Sequence, residues 1–265
     1  MSGSDPQTLE QYRNDANLSA RINLHRRFST SPISWNRWVF NQMQLPESAR
    51  VLELGAGTCV LWGENRDRLP AGLELVASDS SDGMLRAARE QLGGMRGVEL
   101  RQMDAAGIPD GDQTFDVVIA NHMLYHVPDR AAVFSEVVRV LRPSGRFYAA
   151  TNGTAHMEEL DELIGKPEKR AMISTTQFSL ENGAEQLAPF FGSVQLVRHQ
   201  NPLAVTDTSA VLAYVRSLPW GLSERELSKI GEVLDGMIAR NGAFHITRDS
   251  GMFLCADPRL PAKRF

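Results

Sequence analysis

Cysteine is scarce: the chain of 265 residues has only Cys59 and Cys255. Two thiols build neither a disulfide framework nor a cysteine-based zinc site. The six histidines are scattered without ligand spacing, so no metal centre is expected. Long apolar runs are missing too. No stretch approaches the roughly 20 residues a membrane helix needs. The opening MSGSDPQTLEQY has no basic stretch followed by an apolar one, so no secretory leader is expected. Nor is there an excess of positive charge: 28 Lys and Arg against 32 Asp and Glu give a net charge of −4. That balance weakens binding to nucleic acid or anionic lipid by bulk electrostatics. The expectation is a cytoplasmic protein with no membrane and no nucleic-acid partner.

What remains is an ordinary folded composition, 42% hydrophobic and 23% charged. The length allows one large domain or two small ones. Residues 1–48 read as helical. Leu18, Ile22 and His25 recur at helical spacing, then Trp35, Trp38, Val39 and Met43, with Pro32 between the two sets. Short apolar runs then alternate with helical stretches. The runs are 51–54, 73–77, 98–102, 115–120 and 146–150; the helices are about 61–69, 82–92 and 129–141. Ser80 or Ser81 is a candidate N-cap, and Pro143, Ser144 and Gly145 punctuate the end of the third helix. This alternation predicts an α/β fold, a parallel sheet covered on both faces. Strands are expected again at 194–198 and 252–256. Helices are expected at about 209–216 and 224–240, the latter opened by a Ser223/Glu226 capping box. Residues 49–265 read as one domain, with cap segments at about 152–190 and 207–243.

The chemistry sits in Val51-Leu-Glu-Leu-Gly-Ala-Gly-Thr-Cys59. A strand runs into Gly55-Ala56-Gly57, where glycines let the backbone turn and come close to a ligand. A dinucleotide fingerprint needs a third small residue, and Val60 stands there. Glu53, just before the loop, would repel a pyrophosphate and favour an ammonium group. S-adenosylmethionine carries an ammonium and a sulfonium and no phosphate. Asp79 follows the first loop glycine by 24 residues, near the spacing of a ribose-binding acid. Asp104 follows the next strand and suits the adenine amino group.

The stretches VLELGAGTC, VASDSSDGML, RQMDAAGIP, FDVVIANHMLYHVPD and VLRPSGRFYAAT make residues 49–151 resemble class I S-adenosylmethionine-dependent methyltransferases. They are nearest in style to the small bacterial group that includes the ubiquinone/menaquinone biosynthesis enzymes. The resemblance implies a Rossmann-like, doubly wound, seven-stranded, mostly parallel sheet. Its last strand is antiparallel, and it carries N-terminal helices and a helical cap. It implies that Glu53, Gly55, Ala56 and Gly57 line the methionine portion, that Asp79 holds the ribose with Ser80 and Met84 beside it, and that Asp104 and Ala105 meet the adenine. Asn121 and His122 would lie beside the methyl group, and Tyr12 would close over the cofactor from the N-terminal segment. The product would be S-adenosylhomocysteine.

Methyl transfer needs the acceptor atom held in line with the methyl carbon, and a base if the acceptor is a hydroxyl or a carbon acid. His122, Tyr125, His126 and His156 are the available bases. Trp35, Trp38 and Phe40 read as packing. After the fourth strand comes Asn121-His-Met-Leu124, without the Asn/Asp-Pro-Pro-aromatic motif of amino-methylating nucleic-acid enzymes, so a small-molecule acceptor is expected. Two other readings stand beside this one: an NAD(P)-dependent oxidoreductase, against which Val60 and Glu53 argue, and a non-catalytic S-adenosylmethionine-binding protein.

Overall fold

The computed structural model describes residues 15–165, 177–218 and 220–259; Tyr12 lies outside them. In chain order the helices are α1 (Asp15–Phe28), α2 (Trp35–Gln42), α3 (Val60–Glu64), α4 (Asp82–Leu92), α5 (Arg130–Val140), α6 (Glu158–Leu163), α7 (Gly183–Leu187), α8 (Thr208–Arg216) and α9 (Glu224–Asn241). The strands are β1 (Arg50–Leu54), β2 (Glu74–Asp79), β3 (Val98–Gln102), β4 (Phe115–Asn121), β5 (Leu141–Asn152), β6 (Phe191–Gln200), β7 (Leu203–Val205), β8 (Phe244–Ile246) and β9 (Asp249–Pro258). They fall into two compact units. The larger holds 35–153, 177–198 and the residues from 250 on; the smaller holds the residues up to 34, 154–176 and 199–249. The helix over 35–42 thus goes with the sheet, and the smaller unit begins and ends at different residues from the cap segments expected at about 152–190 and 207–243.

The larger unit is built on a seven-stranded sheet of order β3-β2-β1-β4-β5-β9-β6. β1 pairs in parallel with both β2 and β4, and β5 pairs antiparallel with β9. This is the doubly wound α/β sheet with an antiparallel last strand. Alternate residues of each strand feed two different cores. Leu52, Leu54, Val118, Ala120, Phe147 and Ala149 pack with Phe134, Val137 and Val138 of α5. Val51, Leu75, Ala77, Val117, Ile119 and Tyr148 pack on the opposite face with Trp38 and Val39 of α2, Trp62 of α3 and Ala88 of α4. Strand order reverses between β1 and β4. In open sheets of this kind ligands bind at that switch point, outside the carboxyl ends of the strands.

Three elements depart from the sequence reading. The helix expected over 61–69 stops at Glu64, followed by a 3-10 turn over Arg66–Arg68. The Asn65 side chain donates to the Leu61 carbonyl at 2.8 Å and competes with the helical ladder. The strand expected at 146–150 starts at Leu141. Pro143, Ser144 and Gly145 lie within the strand, where the register shifts between the pairs Phe115↔Leu141 and Val117↔Arg146. The third departure is a small two-stranded antiparallel sheet, β7 with β8, in the smaller unit. Its three-residue strands are too short to show a period.

The smaller unit has its own core: Leu24 and Phe28 of α1, Leu160 of α6, Leu203 and Val205 of β7, Val211 and Val215 of α8, and Leu227 and Leu234 of α9. The capping box of α9 forms as expected. The Ser223 side chain accepts from the Glu226 amide, and the Glu226 carboxylate accepts from the Ser223 amide at 2.7 Å. Gly242 ends the helix at φ 80°.

Candidate functional site

The loop after β1 is held open by left-handed backbone. Gly55, Gly57 and Cys59 have φ of 64°, 55° and 58°. A Cβ on Gly55 would lie 2.7 Å from the Met123 Cβ, so glycine is needed there for packing as well as for φ. A Cβ on Gly57 would meet nothing within 4 Å. That space is where a ligand can approach bare backbone. Cys59 is buried and its thiol is pushed up to about 12, so it packs as a small apolar group.

Two acids converge on this loop. Glu53 is 2% exposed, and its carboxyl Oε2 accepts from Trp62 Nε1 at 2.5 Å. Burial, and secondarily the nearby Asp79 charge, raise its pKa to about 8, against the Trp62 hydrogen bond. Asp79 ends β2. Its Oδ2 accepts from the Gly57 amide and its Oδ1 from the Ser81 amide, both at 2.9 Å. Burial raises its pKa against those bonds. A carboxylate offers about four lone-pair sites, so Asp79 keeps acceptor capacity for a ligand beside the backbone bonds from Gly57, Ser80 and Ser81. Ser81 is the N-cap of α4, accepting from the Met84 amide, while Ser80 is exposed and Met84 half-buried. Asp104, beyond β3, is exposed, and Oδ1 accepts from the Ala106 amide at 2.9 Å; Ala105 beside it is half-buried. Ala56 is half-buried and donates its amide to the Ser78 carbonyl at 2.8 Å.

The carboxyl end of β4 brings the second group together. Asn121 Oδ1 accepts from Trp35 Nε1 at 3.2 Å. His122 has φ 57°, an uncommon conformation for a side-chain-bearing residue, and its amide donates to the Ala150 carbonyl at 3.0 Å. Its ring lies 4.8 Å from that of Trp35 and 6.3 Å from that of Tyr125, whose ring is 4.5 Å from that of His126. Burial lowers the pKa of His126, which holds it neutral near pH 7. Glu53, Asp79, Asn121, His122, Tyr125 and His126 are therefore all in the larger unit. His156 is not. It belongs to the smaller unit, with its ring 6.3 Å from that of His25.

Two participants escaped the sequence reading. Trp62 is the donor to Glu53; a carboxyl inside a strand ahead of a glycine loop implies such a donor but does not say which residue it is. Trp35 read as packing. It does stack on Trp38 at 5.1 Å, yet its indole N–H and its other flank engage Asn121 and His122. Among the described residues no group of three His, Cys, Asp or Glu is placed to hold a metal, and no helix is long and apolar enough to cross a membrane.

A doubly wound sheet with acids after three successive strands at its switch point defines the class of nucleotide-cofactor α/β proteins. Residues 52–149 match the family described as a methyltransferase domain. Over that stretch the chain is similar to class I S-adenosylmethionine-dependent methyltransferase domains. The chain is 36% identical over 115 residues to a malonyl-[acyl-carrier protein] O-methyltransferase of Methylococcus capsulatus, covering 43% of this chain and 42% of that protein. It is 32% identical over 161 residues to a demethylmenaquinone methyltransferase of Mycobacterium tuberculosis, covering 58% and 64%. The match thus spans less than two thirds of either relative. A solved structure from Anabaena variabilis, described as a methyltransferase from an antibiotic biosynthesis pathway, shares the fold. Its TM-score is 0.64 at 18% identity, covering 83% of this chain and 96% of that one.

Proposed function

We propose that the protein transfers a methyl group from S-adenosylmethionine to a nitrogen, oxygen or carbon of a small-molecule acceptor. The observation that carries this reading is electrostatic. Burial and the Asp79 charge hold Glu53 protonated beside a glycine loop with open space above it, and a cation is what relieves the repulsion that ionising both carboxyls would bring. A pyrophosphate would add to it. The donor set therefore fits S-adenosylmethionine, which when bound supplies a methyl group already activated by its sulfonium.

The chain's own part is to bind, orient and exclude water. The Glu53 carboxylate, with the bare backbone of Gly55, Ala56 and Gly57, receives the amino-acid end. Asp79 takes the ribose hydroxyls with the acceptor capacity left to it, with Ser80 and Met84 beside it. Asp104 and Ala105 receive the adenine edge. Asn121, fixed by the Trp35 indole, and His122 stand at the switch point beside the methyl group. His126, kept neutral by burial, can take a proton from a hydroxyl or a carbon acid, with His122 and Tyr125 as the other candidate bases.

Support for a small acceptor comes from Asn121-His-Met-Leu124, which lacks the amino-methylating motif, and from the name of the demethylmenaquinone methyltransferase relative. The experiment is incubation with methyl-labelled S-adenosylmethionine and, separately, a metabolite extract, rRNA and tRNA. Label is expected in the metabolite fraction. Label in RNA alone would refute the small-molecule reading.

A further inference from the structure

The smaller unit contains a set of hydrogen-bond donors that its own residues do not satisfy. The β7/β8 ladder pairs Val205↔Phe244, Ala204↔His245 and Leu203↔Ile246. The outer pairs point into the core: Val205, Leu203, Phe244 and Ile246 are all buried, while His245 is exposed. Two residues outside these strand ends stand Asn201 and Arg248. The core thus gives way from aliphatic side chains to an amide and a guanidinium.

Both carry donors with no acceptor. Asn201 is 1% exposed. Its Oδ1 accepts from Ser29 Oγ at 2.8 Å and from the Ser31 amide at 3.0 Å, which fixes the amide's orientation. Its Nδ2 is buried without a hydrogen bond. The Nε of Arg248 is likewise sealed from solvent and donates to nothing. Among the described residues no carboxylate pairs with Arg248. Glu159, against the preceding residue, is occupied by the amide and hydroxyl of Thr247, at 2.8 and 2.5 Å. The Tyr214 hydroxyl of α8 is the group whose field favours the charged guanidinium, and burial opposes it. His199 is buried beside Arg248; burial first, and the guanidinium second, lower its pKa to about 4, so it contributes no charge at neutral pH. The set is one fixed positive charge with two unmet buried N–H donors.

An unmet buried donor costs about 1–3 kcal/mol, more when charged. A structural arginine at this depth is normally paired. What satisfies the Arg248 Nε–H and the Asn201 amide without supplying further donors is a group with oxygen acceptors and negative charge. We propose that the smaller unit holds an oxyanion site, in which Arg248 and Asn201 bind the carboxylate or phosphate of a small molecule. The inference rests on this unit's own geometry and does not depend on the proposed methyl transfer.

The test uses the full chain and two probes, sodium acetate and inorganic phosphate, titrated at constant ionic strength with sodium chloride as the balancing salt. The buried Arg248 Nε–H is followed by 15N–1H NMR, and melting temperature is recorded in parallel. The expected result is a saturable shift of that resonance with one probe and a rise in melting temperature. Saturation by acetate assigns a carboxylate site, and saturation by phosphate a phosphate site. Arg248→Met and Asn201→Leu should each weaken the response about tenfold or more. Without anion, Arg248→Met should melt no lower than the parent, because an unpaired buried charge is removed. The wild-type NMR titration stands even if one variant fails to fold. A resonance that moves with neither probe, or a melting shift that persists in both variants, overturns the proposal. Binding of S-adenosylhomocysteine, measured on the same variants, should be unchanged, which separates this site from the methyltransferase reading.

Discussion

A carboxyl buried as deeply as that of Glu53 gives up its proton reluctantly, and the consequences are measurable. In the unfolded chain it titrates near the ordinary 4.5; in the folded protein it titrates at about 8. Between those values the folded state holds a proton that the unfolded state has released. Stability is therefore full below pH 4.5 and falls as pH rises towards 8, by up to about 1.4 kcal/mol per pH unit. Glu53→Gln should flatten that part of the stability–pH curve, as read by chemical denaturation from pH 5 to 9; an unchanged slope contradicts the buried neutral acid. An ammonium placed beside Glu53 reverses its preference. Titration of S-adenosylhomocysteine at pH 7 should then release a proton, seen as a binding enthalpy that differs between phosphate and Tris buffers. No buffer dependence would mean that the cationic group goes elsewhere. At Asp79 the prediction concerns affinity. Asp79→Ala removes the charge-assisted hydrogen bonds to the ribose, so affinity for S-adenosylhomocysteine should drop well over tenfold in calorimetry while the melt stays cooperative. Unchanged affinity would move the ribose away from β2. His122 carries a backbone prediction: at φ 57° asparagine is tolerated and a β-branched residue is not. His122→Val should cost about 1–2 kcal/mol more than His122→Asn. Equal melting temperatures of the two variants would contradict the left-handed turn.

At the scale of elements, the β1–α3 loop separates packing from binding within three residues. Gly55→Ala forces a Cβ against Met123 in addition to its unfavourable φ, and should cost several kcal/mol. Gly57→Ala meets open space, so it should cost only about 1 kcal/mol, or roughly 2–4 °C, yet lower cofactor affinity at least tenfold. Thermal melts and calorimetry on the pair decide the matter; the reverse ranking would place the ligand over Gly55. Elements with a strong period or a cap were legible beforehand. The α4 helix runs over the expected 82–92, and the capping box at Ser223 formed because both of its partners are local in sequence. Elements defined by long-range contact were not. β7 and β8 are three residues each and exist because they find one another across about 40 residues of chain. The start of β5 was hidden because Pro143, Ser144 and Gly145, which read as a break, lie inside the strand at a register irregularity.

Across the whole molecule, the part of the site legible in the sequence is the part written in consecutive residues: the glycine loop and the acids that end successive strands. Those positions follow from the sheet's geometry, since parallel strands bring their carboxyl ends to one edge. The aromatic partners come from other elements, Trp35 from α2 and Trp62 from α3, and no local pattern distinguishes them from core tryptophans. His156 illustrates the same limit. It follows β5 closely in sequence, but the chain enters the smaller unit at residue 154. The central claim concerns the larger unit, and calorimetric titration of the whole chain with S-adenosylhomocysteine, beside NADH and NADPH, tests it most directly. Micromolar binding of S-adenosylhomocysteine, with no heat from either nicotinamide cofactor, is the predicted result. Binding of NADH or NADPH with none of S-adenosylhomocysteine would contradict it.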